Sequence, residues 1–374
     1  MNTNTNIELV QFLPCLLTAF IAFIVSILLV ITKRWHGKYS FDPLIGTQKF
    51  HSIPTPRVGG ISIFIALLGS FVFCSLPDSK LFAKLLIAAL PVFFIGISED
   101  ITKRVSVRLR YIAIIFGSIL AFWLTGYRVM QIEIVVVDSL LAYLPLSLAF
   151  TVFAVTGLTN SINIIDGFNG LASGTLIICF SALGFIAWEV GDIQVVHLCL
   201  IMISCVLGFF VVNFPLGKIF MGDGGAYLCG FMLAWVAIML PIRNPKVSAW
   251  APLLACAYPI IETIFSMFRR YKNKTSVSCA DSAHFHSLIK IKIIRPFFKK
   301  SDQCMRNSMV APICWAFALI PSCIAIALYD NTAFLMFGGL ISLSLYALLY
   351  WLVSKVQCSI THKESLPPIQ AYQE

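Results

Sequence analysis

Charge is what this sequence has least of. Only 12% of its 374 residues are Asp, Glu, Lys or Arg, about half the share of a soluble domain. Hydrophobic residues make up 59%. A water-borne enzyme or a nucleic-acid-binding domain is excluded, because neither could keep such a chain dissolved. Signals for cysteine chemistry are missing too. The twelve cysteines are scattered, with no C-x-x-C pair and no histidine at zinc spacing. They read as small apolar packing residues rather than disulfides or a metal site. Barrel strands need about ten alternating residues, and the apolar runs here are longer and unbroken. Only helices then satisfy the backbone in lipid. The N-terminal tail lacks a basic stretch and the first apolar run is long enough to span, so no cleavable leader is expected.

What the chain does have is a series of apolar segments near the ~20 residues that a bilayer requires. Eleven are predicted: Gln11–Ile31, Gly59–Leu76, Leu81–Ile97, Leu109–Thr125, Leu144–Ile162, Leu171–Trp188, Val195–Asn213, Gly225–Leu240, Trp250–Met267, Met309–Tyr329 and Ala333–Val353. The expected fold is an all-α polytopic membrane bundle forming one domain over residues 1–355. A polar tail, 356–374, is expected to be disordered. The β-branched stretch Val129–Val137 is too short to span and reads as an extended surface piece.

The loops sort by charge. With N-terminus outside, one side collects 22 of the 27 Lys and Arg residues, ten of them between Arg269 and Arg306. Positive loops stay in the cytoplasm, so the C-terminus and the odd-numbered loops are expected inside. The net charge of +10 comes from these loops and suits anionic lipid.

Every polar motif falls on that same side. The longest runs from Thr159 to Gly174: Thr-Asn-Ser-Ile-Asn-Ile-Ile-Asp-Gly-Phe-Asn-Gly-Leu-Ala-Ser-Gly. Asn160 and Asn163 share a helix face, and Asp166-Gly167 and Asn169-Gly170 permit tight turns. Polar side chains between two apolar segments are costly and need a reason. The first loop holds His51-Ser-Ile-Pro-Thr-Pro-Arg57-Val-Gly-Gly60. The second holds Glu99-Asp100-Ile-Thr-Lys103-Arg104, the fourth Phe220-Met-Gly-Asp223-Gly-Gly, and the fifth Asp281-Ser-Ala-His284-Phe-His286. Singly, each is ordinary: Gly-Asp-Gly-Gly makes turns, and an acidic pair ends many helices. Together, Glu99, Asp100, Asp166 and Asp223 can hold a hard divalent ion, since Mg²⁺ takes one or two carboxylates plus substrate phosphates. Arg57, Lys103, Arg104, His284 and His286 can pair with phosphate oxygens. Phosphoryl transfer is mostly positioning and charge neutralisation, which this set supplies.

The ordered set P-x-P-R-x-G-G, an acidic pair, N-x-x-N-x-x-D-G-x-N-G-L-A-x-G, F-M-G-D-x-G and D-x-x-H-x-H resembles the polyprenyl-phosphate N-acetylhexosamine-1-phosphate transferases. The bacterial undecaprenyl-phosphate N-acetylglucosaminyl branch is the most similar in look. The likeness runs from about His51 to Leu288. It implies that undecaprenyl phosphate attacks the sugar-bearing phosphorus of a UDP-N-acetylhexosamine, releasing UMP, with Mg²⁺ or Mn²⁺ required. It implies Asp223 as metal ligand with Asp166 beside it, and Asp100 near the lipid phosphate. Asn160, Asn163 and Asn169 would line the diphosphate cleft, Phe220 would stack on uracil, and His284 and His286 would form the histidine motif. Glu262 fits an acid usual in the ninth span. A bacterial inner-membrane location follows, with a homodimer compatible and no nucleic-acid partner.

Three positions depart from the pattern: Glu99 stands for Asp, Asn169 for an acid, and Ser287 for His. Three other readings compete, one of them a catalytically inactive scaffold resting on the Glu99 and Ser287 departures. Within the family the second is the phospho-N-acetylmuramoyl-pentapeptide transferase, which the extra terminal span and the missing third histidine argue against. Outside it the third is a transporter, whose polar breaks would lie at mid-membrane in repeated halves; no repeat is seen here.

Overall fold

The computed structural model describes residues 3–42, 54–73, 79–274 and 283–356. Asp281, His51 and the tail from residue 357 lie outside them. Among the described residues there is no strand, only an isolated bridge between Phe41 and Pro56.

The chain begins with α1 (Thr3–Ile31) and a short α2 (Lys33–Ser40), then α3 (Gly59–Phe73), α4 (Ser79–Thr102) and α5 (Val107–Thr125). A short α6 (Val135–Leu141) precedes α7 (Leu144–Ile165), α8 (Leu171–Glu189), α9 (Ile193–Asn213) and α10 (Gly222–Arg243). Next come α11 (Trp250–Ala255), α12 (Ala257–Lys272) and α13 (Phe285–Ile289), a π-helical turn over Lys290–Ile294, and α14 (Arg295–Phe297). The chain closes with α15 (Gln303–Ser308), α16 (Val310–Ala327) and α17 (Thr332–Lys355).

Nine helices among the described residues are long and apolar enough to cross a membrane. Two of the eleven expected spans differ. Helix α3 has 15 residues, about 22 Å of rise, short of a ~30 Å hydrocarbon core; Leu76 lies outside the described residues. The segment Trp250–Met267 is not continuous but breaks at Cys256. Proline explains the break. Pro259 has no N–H for the carbonyl four residues back, at Ala255. That carbonyl instead accepts the Cys179 thiol at 3.3 Å and the Ser322 hydroxyl at 3.2 Å. Val129–Val137 is extended only over its first half. Val129 is tied through its N–H to Thr151 Oγ1 at 2.8 Å, and Val135 already opens α6.

Helix α10 is the axis of the bundle. It packs on α4, α7, α3 and α8, and every residue from Gly222 to Leu240 except Ala237 is buried. A helix apolar all round belongs inside. Small residues at its N-terminal end let its neighbours approach backbone to backbone. A Cβ on Gly96 of α4 would lie 2.6 Å from Gly224 Cα, so α4 and α10 meet with no side chain between them. This contact brings the end of α4 to the start of α10.

Candidate active site

The polar helix ends converge there. Arg57 precedes α3, Glu99 and Asp100 end α4, Arg110 opens α5, Asn163 and Asp166 end α7, and Asp223 opens α10. Backbone pairing fixes the proline-arginine segment to the Gly-Asp-Gly turn. Phe220 N–H donates to the Pro56 carbonyl at 2.8 Å, and Gly59 and Gly60 N–H donate back to the carbonyls of Phe220 and Met221, each at 2.9 Å. Gly222 sits at φ 76°, where a side chain is strained. A Cβ there would lie 2.6 Å from both the Arg57 carbonyl and Asp100 Oδ2.

Asp100 is fully buried. Its two oxygens accept the N–H groups of Asp223 at 2.8 Å and Gly224 at 2.9 Å. These are the otherwise unpaired donors of the first turn of α10. Asp223 in turn accepts from Arg57 Nη2, from Arg110 Nη1 at 2.6 Å and from Asn163 Nδ2 at 3.0 Å. Arg57 also reaches Asp100 at 3.2 Å and Asp42 at 3.5 Å. Burial works against its charge, but Asp223, Asp100, Asp42 and Asp166 outweigh it and hold the guanidinium above its ordinary value. Four aspartates thus surround two arginines. Asp166 keeps part of its surface open although protein surrounds it. Burial pushes its carboxyl up to about 7; Arg57 opposes the rise and the Asp223 charge adds to it.

These groups wall a polar cavity of about 500 Å³. Ten of the predicted site residues line it: Arg57, Glu99, Asn160, Asn163, Asp166, Asn169, Phe220, Asp223, His284 and His286. Asp100, Lys103 and Arg104 do not. Asp100 turns both oxygens to the protein, as above. Lys103 is exposed and donates to the Tyr39 carbonyl at 3.1 Å, away from the wall. Glu99 uses its extra methylene to accept the Val105 N–H at 2.8 Å. Asn169, where an acid was expected, donates to the Pro215 carbonyl and Ser308 Oγ, both at 3.2 Å; both partners need a donor, so the amide fits.

The histidine motif is braced from outside. Buried Glu262 accepts from His284 Nδ1 at 2.9 Å, the Phe285 N–H at 3.2 Å and the Tyr346 hydroxyl at 2.8 Å. A carboxylate can only accept, so Nδ1 of His284 carries the proton. His286 stacks on His284, with ring centroids 5.2 Å apart. Sequence reasoning missed Arg110, Asp42 and Arg270, which also line the cavity. Arg110 lies in the basic run Arg108-Leu-Arg110; its place opening a span, one helical turn past Ser106, was the available signal.

A larger, apolar cavity of about 1260 Å³ adjoins the polar one, sharing Tyr111, Asn160, Thr263 and Met267. It follows α5, α7, α10 and α12 as far as Ile132 and Trp250.

Sequence comparison finds relatives of this chain. The family profile described as Glycosyl transferase family 4 matches residues 82–241. A probable undecaprenyl-phosphate N-acetylglucosaminyl 1-phosphate transferase of Bacillus subtilis (strain 168) is 28% identical over 272 residues, 71% of this chain and 75% of its own. An undecaprenyl-phosphate alpha-N-acetylglucosaminyl 1-phosphate transferase of Escherichia coli (strain K12) is 30% identical over 259 residues, 65% of this chain and 67% of its own. The protein of that same name from Yersinia pestis is 27% identical over 306 residues, 78% and 81% of the two chains. With its motifs gathered on one cavity and this extent of shared sequence, the chain belongs to glycosyl transferase family 4.

Proposed function

We propose that the protein transfers N-acetylhexosamine 1-phosphate from a UDP-sugar to undecaprenyl phosphate, releasing UMP and beginning a lipid-linked envelope glycan such as O-antigen. The observation that carries this reading is the junction of the two cavities. A charged pocket fit for a diphosphate shares four wall residues with an apolar one fit for a polyprenyl tail. The competing transporter would place its polar groups at mid-bilayer, whereas these stand at helix ends.

A phosphate oxygen of the acceptor attacks the sugar-bearing phosphorus of the donor. The bond from that phosphorus to the bridging oxygen breaks, and UMP departs with the electron pair. Arg57 and Arg110, held on Asp223, are placed to turn toward the diphosphate oxygens as charge builds there. Asn163 keeps Asp223 oriented, and Phe220 offers a ring face to the base. A cluster with more carboxylates than guanidiniums suits Mg²⁺. Among the described residues no group of three or more His, Cys, Asp or Glu side chains forms a cage. That fits an ion held by one or two carboxylates and substrate phosphates. Asp223 and Asp166 would hold it. When bound, such an ion neutralises the diphosphate and stabilises the leaving oxygen.

A pH effect follows. Asp166, raised to about 7, is mostly protonated at pH 6 and mostly ionised at pH 8. Protons compete with the metal, so the Mg²⁺ needed for half-maximal UMP release should be about tenfold higher at pH 6 than at pH 8. An unchanged Mg²⁺ requirement across that interval would remove Asp166 from the metal site.

The apolar cavity has its own test. Gly157 on α7 lines it, and a Cβ there would meet nothing within 4 Å. Gly157→Phe should fill the groove without disturbing the bundle. The KM for undecaprenyl phosphate should rise about tenfold or more, equivalent to ~1.4 kcal/mol, while that for the UDP-sugar stays put. Equal shifts for both substrates would count against the groove as the acceptor site.

The reading also places the site on the cytoplasmic side. Lys300 is exposed beyond α14, so a cysteine introduced there should be protected from impermeant reagents in intact cells and labelled in inverted vesicles. Labelling from outside would reverse the orientation.

A further inference from the structure

A single residue, Thr32, separates helix α2 from the end of the first apolar span at Ile31. Its inner face is fixed. Gly37 and Ser40 are buried, and the His36 ring meets Ser40 Oγ at 2.6 Å and the Leu29 carbonyl at 2.9 Å. The outer face carries Arg34, Trp35, Lys38 and Tyr39, at helical spacing. Trp35 is 84% exposed and Tyr39 57%, with the Lys38 ammonium 5.9 Å from the Tyr39 ring centroid. Lys103 and Arg104, exposed at the end of α4, continue the patch, and Lys103 donates to the Tyr39 carbonyl. No carboxylate among the described residues lies within ion-pair distance of Arg34, Lys38, Lys103 or Arg104.

Two large aromatic side chains kept outside beside uncompensated cations, at the end of a span, are the chemistry of the bilayer interface. Such a face binds by burying rings among headgroups while its cations meet anionic lipid. The helix also grips the site. The Ser40 carbonyl accepts the Arg57 N–H at 2.8 Å, Asp42 N–H donates to the Thr55 carbonyl at 3.0 Å, and the Asp42 carboxylate pairs with Arg57.

We propose that α2 is a surface-lying helix docked on anionic phospholipid headgroups, and that this docking holds Arg57 in its place in the cavity. The docking does not depend on the reaction proposed above; only its effect on turnover does.

The test uses the full chain in vesicles of phosphatidylcholine, with and without phosphatidylglycerol. The emission lost in Trp35→Phe isolates the Trp35 signal. That signal should be quenched by brominated phosphatidylglycerol more strongly than by brominated phosphatidylcholine. The Arg34→Gln/Lys38→Gln variant should lose the difference. Hydrogen exchange at the Arg57 amide should slow when phosphatidylglycerol is added, in wild type but not in the double variant. UMP release should rise about threefold in wild type with phosphatidylglycerol, with the two proteins equal in phosphatidylcholine alone. Equal quenching by both lipids would overturn the docking. Preferential quenching without the exchange change would overturn the link to Arg57. Quenching and exchange as expected with no UMP release from any protein would leave this inference standing and refute the proposed reaction instead.

Discussion

Asp223→Asn is expected to lose UMP release by at least ~10²–10³-fold, the usual cost of one electrostatic contact to a transition state. The carboxylate is the meeting point of Arg57, Arg110 and Asn163. Asparagine keeps the shape but removes the charge that gathers both guanidiniums and that would bind a cation. Some stability should go as well. Arg110 loses the one carboxylate among the described residues within ion-pair distance of it, whereas Arg57 keeps Asp42 and Asp100. Breaking a fully buried pair costs about 3–5 kcal/mol. Here the cost should be smaller, because the Arg57 and Arg110 side chains retain 26% and 20% exposure. The double variant Asp223→Asn/Arg110→Gln removes the orphaned cation and should recover thermal stability without recovering turnover. Retention of more than roughly a tenth of wild-type activity by the folded single variant, far above that expected loss, would sink the assignment.

The second large effect is expected at Asp100. In Asp100→Asn one oxygen remains to accept a single N–H of α10, and the new amide N–H₂ faces a backbone donor or the Arg57 guanidinium. A buried donor left without an acceptor costs about 1–3 kcal/mol, and the start of α10 must shift to relieve it. Since Asp223 rides on that turn, turnover should fall by about a hundredfold, ~2.7 kcal/mol in the barrier. The way it falls decides between two roles. A positioning residue should depress kcat with either substrate saturating. A selective rise in KM for undecaprenyl phosphate would mean that Asp100 touches the lipid phosphate, as the family resemblance implies.

The motifs were legible because their residue types are expensive in hydrocarbon, so each stands out against its flanks. Asn163, Asp166 and Asp223 are separated by up to sixty residues of sequence, yet alternating span ends place them at one end of a bundle. Asp42 was not legible, because nothing in its local pattern distinguishes a wall residue from a solvated one, and the place of Arg110 in the first turn of α5 was masked by its basic neighbours Arg104 and Arg108. Lys103 stands off the cavity wall: its neighbours suggested a phosphate ligand, whereas a positive φ of 54° turns the chain there and the amine donates to the Tyr39 carbonyl. The break at Cys256 depended on what replaces the bond Pro259 cannot make, and Cys179 and Ser322 lie 76 and 67 residues from Ala255. The centrality of α10 was hidden too. Its composition hardly differs from α9, and only the glycines at its start hint that other backbones come close.

The join between the two cavities bears on how such a protein should be assayed. A substrate that arrives along α7 and α12 moves in the plane of the bilayer, and what governs its encounter is the number of acceptor molecules per lipid, not per litre. Rates measured in detergent should therefore fall as inert amphiphile is added at fixed acceptor and protein. The soluble donor should follow ordinary bulk saturation in the same preparation. One reaction centre would then obey two different laws of dilution, one for each of its mouths.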